Sequence, residues 1–203
     1  MKNLAMLSVA AFCLALAPAA QAQANPQDEG NQNNKNHGNI GAYFDYTRLQ
    51  GQNLNMFGVG GRIGFNIQKR IVLEAEMAYD FERTQTQTFT AGSISSTVRT
   101  DVRVMHALFG PKVRMPGPKG FFLFTKGGFV NFGVGGPVPA GAINNQIGNI
   151  INGDINTAIY PGGGIEFKIG RIDFRAEAGD ELIWLRNGVQ SNFRATFGPQ
   201  LRF

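Results

Sequence analysis

The chain is expected to fold as an all-β protein, an eight-stranded antiparallel up-and-down barrel that spans a membrane. Three observations predict this. The segment Ser191 to Phe203 alternates, with Phe193, Ala195, Phe197, Leu201 and Phe203 on one face and Asn192, Arg194, Thr196, Gln200 and Arg202 on the other, and Pro199 departs from the pattern. At about ten residues it has the length a tilted strand needs to cross a bilayer. With 27 glycines and 17 phenylalanines, the composition favours turns and strands over a helical bundle. Finally, no apolar run beyond the N-terminus is long enough for a membrane helix, so a closed barrel is the way left to satisfy every backbone group in lipid.

The N-terminus reads as a secretory signal peptide over residues 1–22. Lys2 precedes an apolar run from Leu4 to Ala17, and Ala20-Gln21-Ala22 sets cleavage after Ala22. Cys13 follows Phe12, whereas lipid attachment needs a small residue there, so the cysteine belongs to the apolar run. The exported chain then has no cysteine, which excludes disulfides and thiolate chemistry. Losing Lys2 lowers the formal net charge from +5 to +4. That mild excess, without a basic run interleaved with aromatics, does not point to nucleic acid. Residues 23–39 are Gln, Asn, Gly and charge and read as a disordered polar leader. Residues 40–203 form one barrel domain.

The first strand, Ile40 to Leu49, sets Ala42, Phe44 and Tyr46 against Tyr43, Asp45 and Thr47. The second, Met56 to Gln68, sets Phe57, Val59, Ile63, Phe65 and Ile67 against Gly58, Gly60, Arg62, Gly64 and Asn66, and Gln68-Lys69-Arg70 turns the chain. In the third, Ile71, Leu73, Ala75, Met77, Tyr79 and Phe81 oppose Glu74, Glu76, Asp80 and Glu82. Four carboxylates on one face require water or cations opposite them. Arg83 to Thr97, rich in Thr, Gln and Ser, is a loop or a strand extension beyond the membrane.

The fourth strand, Val98 to Met115, is ambiguous in phase. Val102 and Val104 fit one parity and Phe109 and Val113 the other, which suggests a bulge. A turn at Met115-Pro116-Gly117-Pro118-Lys119 leads to the fifth strand, Gly120 to Phe132. There Phe121, Leu123 and Phe129 oppose Lys126, while Phe122 and Phe124 blur the pattern. In the long connection Gly133 to Asn156, Ile143, Ile147, Ile150 and Ile151 recur at helical spacing. This is either a short amphipathic helix over the barrel mouth or isoleucines anchoring a loop. The sixth strand sets Ile159, Ile165, Phe167 and Ile169 against Tyr160, Glu166 and Lys168, and Gly170-Arg171 turns it. The seventh sets Ile172, Phe174, Ala176, Leu182 and Trp184 against Asp173, Arg175, Glu177 and Glu181. Arg186-Asn187-Gly188 leads to the closing strand by a strong hairpin signal.

Short and longer connections alternate, as in membrane barrels. Pro111, Pro161 and Pro199 oppose this reading, since a closed barrel has no edge to excuse a missing donor, and each would need a rim or a bulge.

A soluble lipocalin-like barrel has the same period with the faces exchanged. Large charges of both signs among glycines on the polar face favour lipid outside. Arg62, Lys126, Lys168, Arg175, Arg194 and Arg202 would pair with Glu74, Glu76, Asp80, Glu166, Asp173, Glu177 and Glu181 across a narrow interior. Tyr46, Tyr79, Trp184 and Phe203 would form interfacial girdles.

On these strands, the Gln68-Lys69-Arg70 and Gly170-Arg171 turns and the terminal Leu201-Arg202-Phe203, the region from Ile40 onward resembles the OmpA-like small outer-membrane β-barrels. The resemblance implies the bacterial outer membrane as location and its lipids as surroundings. It also implies an insertion machinery that reads Phe197, Leu201 and Phe203, and periplasmic chaperones on the way. The chain ends with the last strand, so the peptidoglycan-binding domain of some relatives, and anchoring to the cell wall, are not carried over.

Two functions follow from the interior: a structural or surface-exposed barrel, expected as a monomer, whose ion pairs block diffusion, or a narrow channel gated when carboxylates such as Glu74 exchange partners. Catalysis is disfavoured. The similar lipid A deacylases use a histidine and a serine two residues apart, whereas His106 is followed by Ala107 and Leu108, and His37 lies in the leader. Adhesion through Arg83 to Thr97 or Gly133 to Asn156 names no receptor. No cofactor is called for: no metal-ligand motif, phosphate loop or nucleophile motif is present, and Gly58-Val59-Gly60-Gly61 and Gly162-Gly163-Gly164 lie within strand alternation with no helix after them.

Overall fold

The structure, a computed structural model, describes residues 37–50, 54–91, 94–116, 120–135, 155–169, 172–186 and 188–203. Eight strands follow one another: β1 Gly38–Leu49, β2 Leu54–Asn66, β3 Ile71–Ala91, β4 Ile94–Arg114, β5 Phe121–Gly135, β6 Ile155–Ile169, β7 Ile172–Leu185 and β8 Gly188–Arg202. Each pairs antiparallel with its neighbours in sequence, and β8 pairs with β1 to close the barrel. The seam is completed by Gly38, whose N–H donates to the Phe203 carbonyl at 2.9 Å while the Phe203 N–H donates back at 3.0 Å. Gly38 and Asn39, read as the end of a disordered leader, therefore belong to β1. Asn39 has the inward parity of Tyr43 and Asp45 and is buried with them.

The alternation holds around the barrel, with large apolar side chains outside and charge inside. Phe44 is 69% exposed, Phe129 57% and Ile169 64%, whereas Arg194, Asp80 and Glu181 are fully buried. A water-soluble barrel would show the reverse. Tyr46, Tyr79, Trp184 and Phe203 all take outward positions. The Tyr46 ring packs against Phe57 at 5.3 Å and edge-on to Phe193 at 6.3 Å.

The structure decides three points. Of the two readings of Arg83 to Thr97, the strand extension is the one observed: β3 and β4 each run 21 residues and stay paired to Ala91↔Ile94. The β4–β5 ladder begins only at Asp101↔Gly135, and the β2–β3 ladder ends at Gly58↔Asp80, so the hairpin projects beyond its neighbours. Second, β4 carries no break in phase. Val102, Val104, His106, Leu108, Gly110 and Lys112 all face inward, and Met105, Phe109 and Pro111 face outward. The bulge lies in β3, where Phe81 and Glu82 oppose the single residue Arg103 between the pairs Asp80↔Val104 and Arg83↔Val102. It shifts the parity and leaves Glu82 exposed, so only three of the four β3 carboxylates face the interior.

The third concerns the prolines, none of which sits at a bulge. Each keeps one neighbour, Pro111 with Leu73, Pro161 with Thr125 and Pro199 with Phe174. On the other side the ladder passes over the proline without changing register, from Phe109↔Gly127 to Lys112↔Phe124 in the first case. Glycine permits this. A Cβ on Gly110 would lie 2.1 Å from the Thr125 carbonyl oxygen, and one on Gly198 2.1 Å from that of Ala42, so the strands close up where the donor is missing.

The isoleucine-rich connection, the Gly170-Arg171 turn and Asn187 fall outside the described residues, as do residues 1–36. Gly188 adopts φ +143°, the glycine conformation expected after Asn187.

Candidate functional site

The interior is the only place where the described residues gather chemistry. Because β1 starts and β8 ends at one rim, that rim is called the termini end and the opposite one the loop end.

The termini half is a continuous ion-pair network. The guanidinium of Arg175 (β7) donates to both oxygens of Glu74 (β3) at 2.6 and 2.8 Å and to Glu177 at 2.5 Å. Arg62 (β2) reaches Glu177 at 3.1 and 3.2 Å and Thr196 at 2.8 Å. Lys126 (β5) lies 2.5 Å from Glu76, 3.0 Å from Glu177 and 3.9 Å from Glu74. Lys112 (β4) bridges Glu166 at 2.6 Å and Glu74 at 2.7 Å. Arg202 pairs with Asp173 at the rim, and Arg114 lies 3.7 Å from Glu166. Aromatic faces complete the solvation: Arg62 stands over Tyr43 at 4.3 Å, Arg175 over Phe122 at 4.4 Å and Lys126 over Phe124 at 4.5 Å.

Above it, Arg194 (β8) joins Asp45 (β1) at 2.6 Å and Glu76 at 2.9 Å. His106 (β4) lies between two carboxylates, Nδ1 at 3.0 Å from Glu181 and Nε2 at 3.3 Å from Asp80. Toward the loop end the lumen turns apolar. Leu49, Met56, Val104, Val130, Phe132, Ala158 and Ile183 are buried in one cluster that continues to Phe122, Phe124 and Tyr160.

Every charge read from the sequence as interior whose side chain is described lies there. Lys168 pairs with the inward-facing Asp173 in the β6–β7 ladder, and its side chain is outside the described set. The sequence reading set Asp45 on the polar face of the first strand but left it out of the charge network, together with Lys112, His106 and Arg114. Parity alone would have found Lys112 and His106, which stand an even number of residues from Val102 and Val104, but those valines looked like wall. Phe197, Leu201 and Phe203 are exposed on the outer face.

Buried charges persist only when paired, because the desolvation of each costs several kcal/mol by order of magnitude. Among the described side chains, the termini half holds five carboxylates (Glu74, Glu76, Glu166, Asp173, Glu177) and six cations (Arg62, Lys112, Arg114, Lys126, Arg175, Arg202), an excess of one positive charge. Asp45, Asp80 and Glu181 face only Arg194 and His106.

Geometry and polarity thus define a closed eight-stranded up-and-down barrel with an apolar wall and a filled, charged lumen. No protein-family model matches the sequence, and no curated protein matches it. Among solved structures the chain is similar to Ail, the attachment invasion locus protein of Yersinia pestis, at 14% identity over 81% of this chain and 96% of that one, with a TM-score of 0.44. It is also similar to the N-terminal β-barrel domain of Pseudomonas aeruginosa OprF, at 12% identity over 82% and 99% with a TM-score of 0.43. A de novo designed transmembrane β-barrel gives 12% identity over 84% and 98%, with a TM-score of 0.42. At these identities the likeness concerns the fold alone.

Proposed function

We propose that this chain is a structural or surface-exposed protein of the bacterial outer membrane whose barrel is closed to diffusion. The membrane reading is supported by the outer wall. On β3 the outward positions run apolar from Ile71 to Phe81. Ten steps of ~3.3 Å make about 33 Å, or about 25 Å along the axis at a tilt of ~40°, the height of a lipid-facing band. Bilayer lipids are accordingly the surroundings, the exposed Phe197, Leu201 and Phe203 are the signal an insertion machinery would read after chaperones deliver the chain, and the barrel works as a monomer.

Closure is carried by one observation: ion pairs fill the termini half of the lumen, while Leu49, Met56, Phe132 and Ile183, with the buried Thr47, Asn156 and Asn192 among them, fill the loop half. Among the described residues two obstacles stand in series, one charged and one mostly apolar. Purified protein in a planar bilayer will then show no stable conductance steps; large, long-lived pores would refute the reading.

The gated-channel alternative has one point in its favour, the three carboxylates within reach of Lys126. It predicts openings when Glu74 or Arg175 is neutralised. Our reading expects Glu74→Gln to stay silent, and openings to need a second change in the apolar half, such as Ile183→Ser.

An enzymatic role has little support. Both ring nitrogens of His106 are taken by carboxylates, and Leu108, two residues on, offers no nucleophile. Lipid A incubated with purified protein should release no fatty acid.

A further inference from the structure

The loop-side end of the ion network is short of positive charge. Asp45, Asp80 and Glu181 carry three negative charges, and among the described residues Arg194 is the one permanent cation that reaches them, contacting Asp45 at 2.6 Å and Glu181 at 3.8 Å. Even with His106 as an imidazolium the cluster stands one charge negative inside a fully buried space, balanced only by the excess positive charge in the other half of the lumen. We infer that Asp45, Asp80 and His106 form a binding site for one divalent transition-metal ion of the zinc type, with Glu181 holding His106 in position.

Three features of the geometry carry this. The ligand atoms of Asp45, Asp80 and His106 lie within 4.8 Å of one another on three different strands, all buried. The pair His106 Nε2 and Asp80 Oδ2 is 3.3 Å apart. Two donors each ~2.0–2.1 Å from a tetrahedral ion stand about 3.3 Å apart, so an ion fits between them with no rearrangement of that pair. On the far side of the ring, Nδ1 lies 3.0 Å from Glu181 Oε1. A carboxylate that accepts from Nδ1–H fixes the tautomer that leaves Nε2 free to ligate, the arrangement usual behind metal-binding histidines.

Orphaned acceptors supply an independent indication. Asp80 Oδ1 and Glu181 Oε2 are buried with no hydrogen-bond partner, as is the hydroxyl of Thr47, which stands one inward position beyond Asp45 and is itself fully buried. Buried carboxylate oxygens without a donor are costly, and a cation among them removes that cost. One imidazole with two carboxylates, and the fourth place left to water, is a mixed N/O set that suits zinc, nickel or cobalt better than calcium or magnesium. Arg194 does not exclude the ion, because Asp45 has lone pairs for both. The apolar cluster toward the loop end shields the site, so loading belongs to folding.

The inference does not depend on the membrane reading and is tested separately from it. The full exported chain is unfolded in urea and refolded in detergent with Zn2+ or Co2+, excess ion is stripped on a chelating resin, and bound metal is measured by mass spectrometry. We expect about one ion per barrel and, for Co2+, visible absorption that Zn2+ abolishes. Asp80→Asn, which keeps the shape, and His106→Ala should each lower retained metal at least tenfold. Folding is followed through the mobility difference between boiled and unboiled samples, and if His106→Ala fails to fold, Asp80→Asn decides. Background metal in the folded wild type, or equal metal in the folded variants, would overturn the site and leave His106 as an imidazolium between two carboxylates.

Discussion

Arg175 gathers two carboxylates, Glu74 and Glu177, around one buried guanidinium, and what it contributes depends on their having no other complete solvation. Replacing it by Met removes one charge and leaves Glu74 with Lys112, and Glu177 with Arg62 and Lys126, one cation short of the full network. Breaking such a buried pair costs about 3–5 kcal/mol, whereas replacing both members by apolar groups is far milder. Arg175→Met should therefore lower the unfolding free energy in urea by that amount, and adding Glu74→Leu should recover part of it. A loss for the double variant equal to the sum of the two singles would show that the pair is not coupled. Both residues were legible from parity alone, but which carboxylate each arginine chooses was not, because partners such as Arg175 and Glu74 lie 101 residues apart.

At the scale of the strand, the rule that orders this protein is a two-residue period, and its exceptions are local. The fourth strand looked broken because Val102, Val104 and Leu108 are apolar yet face inward; period alone assigns a side chain to a face and says nothing about which face is wet. In truth β4 is regular, and the irregularity belongs to β3, where the bulge at Phe81 and Glu82 falls at the level where the projecting hairpin leaves the barrel wall. Residues 84–100 stand beyond the β2–β3 ladder, so replacing them with a short turn should leave the boiled-to-unboiled mobility shift intact; loss of that shift would mean that the extension is needed for folding. On the wall itself, Phe109 is 54% exposed near the middle of the apolar band. Phe109→Arg should cost about 2–4 kcal/mol for folding into liposomes, as a cation at the bilayer midplane does. In a barrel that folds in water the same change would be neutral.

For the whole molecule, closure is the deciding property. The β1–β8 seam turns eight half-satisfied strands into a cylinder with no free edge along its wall, and it forces the polar faces of all of them into one narrow interior. Once there, the charges have little choice of neighbours but one another, so they pair as a network. Much of this was determined by the sequence itself: the number of strands, the face each outward phenylalanine takes, and the sign of the charges turned inward all follow from local alternation, which needs no knowledge of distant residues. Only the tertiary structure decided that the loop half of the lumen is apolar, that three prolines fit beside glycines without a bulge, and that Asp45, Asp80, His106 and Glu181 meet. Those four come from β1, β3, β4 and β7, and no spacing along the chain relates them. Barrel curvature and shear set which inward residues share a level, and that is a property of the closed sheet rather than of any strand within it.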